Sequence, residues 1–333
     1  MFMPAATSSL EALSIRTGIC AWLDERARAT GGPQTAVRPA HRIRLQWPPH
    51  PISADYHVVG SDWSVAIPVT IEGDAFTIRL ARRPYGVFAR LEGVWNEVRA
   101  QTDQEAIATV IAEAEPFFTR QRLIGQAIGL EGRYTGSVRD LAPLELLKLL
   151  FCPDRDIAAE AQTLIETHAS LHLLGPSLVH ILKDRSHAQR RSAQWCVLDL
   201  FEDLPSFCPD PQEAGEAIHA IQALMWDAED DYARSVYKAG VVLGGHVCDD
   251  PAAAALFHCF HAPSRIGRRS AYHASFHLAE WRPDLRSQVL ERLRQAALTD
   301  PEPLLAIFAD KLADDVDRGE VDHVMEPMFP DEP

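Results

Sequence analysis

The chain has 333 residues, of which 47% are hydrophobic and 24% charged, and it carries a formal net charge of -15 at pH 7. That length and balance predict a soluble globular protein with room for two domains. The negative charge argues against nucleic acid as a partner, and no run of about 18 apolar residues is present to span a membrane. The N-terminus has no basic stretch followed by a long apolar core, so no secretory signal is expected. The six cysteines form no CxxC pair, which fits reduced, structural thiols in the cytoplasm.

The spacing of Leu10, Leu13, Ile19, Trp22 and Leu23 predicts an amphipathic helix over 10–29, capped by Ser8 or Ser9 and stopped at Thr30-Gly31-Gly32-Pro33. Residues 34–40 read as a loop. Alternation of Ile43, Leu45 and Trp47 with Arg42, Arg44 and Gln46 predicts a strand over 41–47. Three more strands are expected at 63–71, 75–81 and 85–91, with Phe76, Ile78 and Leu80 on one face and Thr77 and Arg79 on the other. The turns at Glu72-Gly73-Asp74 and Arg82-Arg83-Pro84 are too short for parallel crossovers, so the sheet should be an antiparallel meander. Pro68 marks its strand as an edge or a bulge.

Helices take over from Asp103, which is placed to cap a run through Ile107, Val110, Ile111 and Ala114. Pro116 is placed to open a further helix. The glycine-rich stretch 129–136 lacks the GxxxxGK[ST] pattern and a strand-to-helix setting, which excludes a phosphate-binding loop. A short apolar helix is expected over 141–151. Further helices are expected near 154–168, 176–184, 187–203, 211–226, 229–244, 250–262, 266–281, 284–298 and 301–316. Pro153, Pro176, Pro209, Pro251, Pro283 and Pro301 fall at or beside their junctions.

Within these helices a ten-residue frame occurs three times, over 191–200, 234–243 and 269–278. Each copy begins Arg-Ser. A small apolar residue stands at position 3, Cys196, Ala239 or Ala274 at position 6, and a Leu closes position 10. A degenerate fourth copy puts Ala161 and Ile165 at the corresponding places, without the Arg-Ser start. Self-similarity at a period of about 35–45 residues signals stacked helix pairs, and the small residue at position 6 allows close helix approach. Over roughly 150–315 the frame resembles HEAT-like repeat proteins, including the HEAT-like group of bilin lyases. The resemblance implies an all-α HEAT-like solenoid. The organisation expected is therefore an α+β module with an antiparallel β-meander over 1–140, the repeat domain over 141–316, and an acidic tail over 317–333.

Three groups of residues are candidates for function. Arg191, Arg234 and Arg269 recur with the fold. The recurrence favours an inter-repeat ion-pair ladder with Asp184, Asp227 or Asp230; the other reading is a basic row for an acidic ligand. Trp195, Tyr237 and Tyr272 could anchor a protein partner, Tyr237 and Tyr272 sharing one frame position. His273 and His277 stand one helical turn apart, with His258 and His261 upstream, a spacing open to a metal although no HExxH is present. The function expected is a scaffold, adaptor or assembly factor that holds one or more proteins on a concave face and needs no cofactor. The resemblance implies an alternative, a lyase-like handling of a tetrapyrrole whose propionates the arginines would hold. A metal-dependent hydrolase built on the histidines is the third reading.

Overall fold

A computed structural model describes residues 9–30, 45–46, 57–59, 62–71, 74–83, 85–92, 97–168, 170–228 and 233–319. The chain divides into two units, one of Val37–Thr135 and one of Met1–Ala36 together with Gly136–Pro333. The first helix, α1 (Ser9–Thr30), therefore belongs with the C-terminal helices and not with the sheet that follows it. Its inward face is Ile15, Ile19 and Leu23 at a spacing of four, with Trp22 beside them. Leu13, expected on that face, is 59% exposed.

The sheet unit is built from alternation. Strands β1 (Leu45–Gln46), β2 (His57–Val59), β3 (Asp62–Ile71), β4 (Asp74–Arg83), β5 (Gly86–Leu91) and β6 (Val98–Ala100) are all paired antiparallel. β3 to β6 form the meander, while β2 and β1 pair with the two ends of β3 on its other side. The register of β3 on β4 is continuous through Pro68, which stands opposite Thr77, so there is no bulge. Pro68 lies between the β2- and β1-paired ends, on a stretch of β3 paired on one side only among the described residues. There its missing N–H costs no ladder bond. Of the strand expected over 41–47, only Leu45–Gln46 falls among the described residues.

One face of the sheet carries Ile78, Leu80, Val87, Ala89, Leu91, Val98 and Ala100. Helix α2 (Asp103–Ile128) lays Ala106, Val110, Ala114 and Phe118 against it. These four residues recur every fourth position, which keeps one stripe of the helix inward. The two helices expected on either side of Pro116 are in fact one, with Pro116 inside it. The cap is Thr102, whose hydroxyl accepts from Glu105 N, and not Asp103. Gly125 has a packing reason. A Cβ there would collide with the Gly132 carbonyl, because the chain turns back so that Tyr134 N donates to Gln121 O at 2.9 Å.

The helical unit contains, after α1, helices α3 (Pro143–Leu149), α4 (Arg155–Glu166), α5 (Gly175–Lys183), α6 (Arg190–Leu200), α7 (Leu204–Phe207), α8 (Pro211–Trp226), α9 (Ala233–Val241), α10 (Asp250–His258), α11 (Arg265–Trp281), α12 (Arg286–Thr299) and α13 (Pro303–Arg318). Asp154, Asp210, Asp249 and Ser264 each accept a backbone N–H at the start of a helix. Such a cap is worth about 1 kcal/mol. α9 continues into a wider π-helical turn over Val242–Val247. α13 runs to Arg318, two residues into the expected tail; the remainder, from 320, lies outside the described residues.

Packing follows two rows. α4, α6, α9, α11 and α13 touch in succession; α1, α5, α8 and α10 form a second succession. The rows are joined by the pairs α5/α6, α8/α9 and α10/α11, and α12 packs on α11 and α13. The three frame copies fall on α6, α9 with its π turn, and α11, which are neighbours in the first row. Cys196, Ala239 and Ala274 are all buried, as are Leu200, Leu243 and Leu278 that close the frame. Ala161 and Ile165 of the degenerate copy are fully buried on α4. The approach is closest between α9 and α11, where a Cβ on Gly240 would meet Ser270 and one on Gly244 would meet the Ala274 carbonyl. Helix backbones come this near only across residues with little or no side chain.

Among the described residues no helix is long and apolar enough to cross a membrane.

Candidate functional site

The row α6–α9–α11 has a buried edge and a more open one, and the frame decides which residue faces where. Positions 3, 6 and 10 are core. Position 2 is structural: Ser270 Oγ donates to Val236 O at 2.8 Å, and Ser235 Oγ reaches Arg191 O at 3.5 Å. In both copies the serine ties its helix to the backbone of the preceding helix in the row, which explains why serine recurs.

Two of the arginines at position 1 stack on aromatic rings. Arg234 lies over the Trp195 ring, 5.0 Å from its centroid. Arg269 is 1% exposed, donates to Tyr237 Oη at 2.8 Å, and lies between the rings of Tyr237 and Phe308 at 5.3 and 5.5 Å. In both cases a guanidinium stacks on an aromatic of the previous copy, a contact worth about 0.5–2 kcal/mol. Asp184 is occupied otherwise. It accepts from Ser186 N, Ser186 Oγ and His187 N. Asp227 caps the end of α8 through its backbone, and Asp230 lies outside the described residues. Nor do the three arginines make one basic row. Arg234 is exposed, Arg191 is half-buried at the start of α6, and Arg269 is enclosed.

Tyr272 is a correction. It was expected at the surface beside Tyr237, yet it is 1% exposed, and its hydroxyl donates to Asp300 Oδ2 at 2.6 Å. Asp300 also receives Arg268 through Nε at 2.8 Å and Nη2 at 3.2 Å, and Glu302 N at 2.8 Å. The Asp300 side chain is 0% exposed. Burial pushes its carboxyl up, but the bonds from Arg268 and Tyr272 outweigh that and hold it below the usual range. Burial pushes the Tyr272 phenol upward, and the hydrogen bond to the Asp300 carboxylate adds to it. The group locks α11 to the start of α13. Its sequence signal was weak, because Arg268 and Asp300 are 32 residues apart and outside the frame.

Frame positions 5 and 9 supply the more open edge, where Trp195, Asp199, Lys238 and His277 are half-buried, although Val242 and His273 in the same columns are buried. Trp195, Lys238 and His273 share position 5; Asp199, Val242 and His277 share position 9. Lys238 lies 5.6 Å from the Trp195 ring, 2.6 Å from Asp199 Oδ1, and pairs with Glu202. Burial works against its charge, but the two carboxylates prevail and raise the ammonium pKa. His246, on the π turn, stands 3.7 Å from Glu202. This Lys238 cluster was not singled out from the sequence; its signal was the charged residues in the two variable columns.

His273 and His277 do meet, with 3.2 Å between their Nε2 atoms, and His277 Nδ1 lies 3.1 Å from Glu280. His258 and His261 do not join them. His258 stacks on Trp226 at 4.3 Å, and His258 and His261 line a different cavity. Among the described residues no group of three or more His, Cys, Asp or Glu side chains is arranged to hold a metal ion. The four-histidine site is therefore not assembled. What the open edge offers is an aromatic ring, stacked cations and half-exposed carboxylates on one continuous strip, an arrangement suited to binding.

Comparison with protein-family models, with curated proteins and with solved structures finds no match for this chain.

Proposed function

We propose that the helical unit is a HEAT-like α-solenoid that works as a protein-binding scaffold, with the open edge of α6, α9 and α11 as its concave, partner-facing side. The observation that carries this reading is the Trp195 ring at position 5 of α6, which is met by two cations of the neighbouring helix α9, Arg234 at position 1 and Lys238 at position 5, 5.0 and 5.6 Å from its centroid. Successive helix pairs that each add one residue to a shared strip make an extended surface, and an extended surface suits a long partner segment better than a small substrate. The ring of Trp195 and the carboxylates of Asp199 and Glu202 would anchor a partner that brings both apolar and basic side chains.

The test is affinity capture from the native cell with the wild type and a Trp195→Ala/Arg234→Ala variant of unchanged melting temperature. Partners specific to the wild type should be depleted at least tenfold from the variant. Recovery of every partner in equal amount by both proteins would reject this surface as the binding face.

A further inference from the structure

α10 and α12 both pack on α11 but leave a groove between them. Two cavities lie along it. One of about 710 Å³ runs past Phe257, His258, His261 and Gln288; the other, of about 290 Å³, lies by the 3₁₀ turn Cys259–His261 and the end of α12. Arg292 and His261 line both. Cavities of roughly 300–1,000 Å³ are the size of small-molecule sites.

Three arginines face this groove, and they are not equivalent. Arg268 is bidentate on Asp300, as described above. Arg282 donates to Asp250 at 3.0 Å, to Asp284 at 2.6 and 2.9 Å, and to Cys248 O at 2.9 Å. Arg292 has no hydrogen-bond or ion-pair partner among the described residues. Its guanidinium rests on the Phe257 ring, 4.5 Å from the centroid, and its Nε is buried without an acceptor. Formal charge over the lining cancels, three aspartates against three arginines. Every one of those aspartates is nevertheless engaged by Arg268 or Arg282, and Arg292 is left over.

A cation drawn partly out of water without an acceptor is costly, and a protein of net charge -15 has carboxylates to spare. Stacking on Phe257 occupies the flat face of the guanidinium and fixes its plane, while the N–H donors at its edge stay available for a planar or tetrahedral anion. Phe257, and the His258 ring stacked on Trp226, supply flat apolar surface beside it. We infer that the α10–α12 groove binds a small molecule bearing a carboxylate or phosphate group, held by Arg292. This site lies apart from the strip on α6, α9 and α11 and does not depend on the scaffold reading.

The experiment is calorimetric titration of the full chain at pH 7 and fixed ionic strength with inorganic phosphate and, separately, with benzoate. Saturable one-to-one binding of at least one of them is expected, and the tighter of the two identifies the kind of anion. Arg292→Gln should weaken it about tenfold or more, the loss of a charge-assisted contact. Arg294→Gln removes the same charge from an exposed arginine of α12 that pairs with Asp310 and Asp314, and it should leave binding unchanged. Phe257→Leu keeps the charge but removes the ring under it and should weaken binding severalfold; it decides the matter if Arg292→Gln does not fold. Absence of saturable binding by either anion, full affinity in Arg292→Gln, or equal losses in Arg292→Gln and Arg294→Gln would each overturn the assignment.

Discussion

Asp300 shows how one side chain can hold two helices and tie that hold to pH. Its carboxylate joins Arg268 and Tyr272 of α11 to the backbone at the start of α13. Because its folded pKa lies below the unfolded value of about 3.9, its contribution is fully present above that pH. It is lost as pH falls through the folded pKa. Asp300→Ala should cost about 3 kcal/mol or more at pH 7, since Arg268 is left buried without its charge partner. In urea melts the gap to wild type should narrow below pH ~4; a gap that stays constant from pH 7 to 3 would contradict the lock. The thiols offer a second test at this scale. Burial pushes Cys196, Cys208 and Cys259 up to about 12, whereas Cys20 and Cys248 are only half-buried. Under native conditions at pH 8 a thiol reagent should label Cys20 and Cys248 first, with Cys196, Cys208 and Cys259 reacting only after unfolding. Rapid labelling of Cys196 in the folded protein would contradict its place in the frame core.

For the helices, the recurring frame divides its labour. In the second and third copies serine at position 2 is an internal strut and arginine at position 1 is a stacking group, although both recur equally in the sequence. Ser270→Ala should cost about 1–2 kcal/mol, because the buried Val236 carbonyl loses its side-chain donor. Arg234→Ala, at the surface on Trp195, should cost no more than ~1 kcal/mol. Thermal melts of the two variants should therefore rank Ser270→Ala clearly lower, and the reverse order would mean that the roles of the two positions have been exchanged. The same reasoning explains the errors. Tyr237 and Tyr272 share a column, yet the lock at Asp300 draws Tyr272 inward while Tyr237 stays half-buried. A frame reports which side of a helix a residue occupies, not what stands opposite. Pro116 was taken as a break because proline removes one helical hydrogen bond, but the sheet face that receives Ala106, Val110, Ala114 and Phe118 keeps α2 whole.

For the molecule, the sheet unit is an insertion in sequence between α1 and the helices that α1 joins. α1 packs on α3 and α5, with Trp22 stacked at 5.3 Å on His187 and edge-on to Phe151 at 5.1 Å. Ile19→Ala removes a fully buried side chain and should cost about 2–5 kcal/mol. Hydrogen exchange in that variant should speed up in α3 and α5 and stay unchanged in α2 and β3–β5. Faster exchange confined to the sheet would return α1 to the module in which the sequence alone had placed it.

Periodicity was enough to mark the meander, the helices α4 to α6 and α8 to α13 to within a few residues of their described ends, and the small residues that let α6, α9 and α11 nest, because each depends on neighbours close in the chain or on a repeat; the short α7 was not expected. Tertiary structure alone decided that α1 joins the distant helices, that Tyr272 is enclosed, that His258 and His261 lie away from the His273–His277 pair, and that Arg292 has no carboxylate partner among the described residues. Each of these outcomes depends on which side chains meet across tens of residues, and hydrophobic pattern is silent on the partner once it has chosen the face.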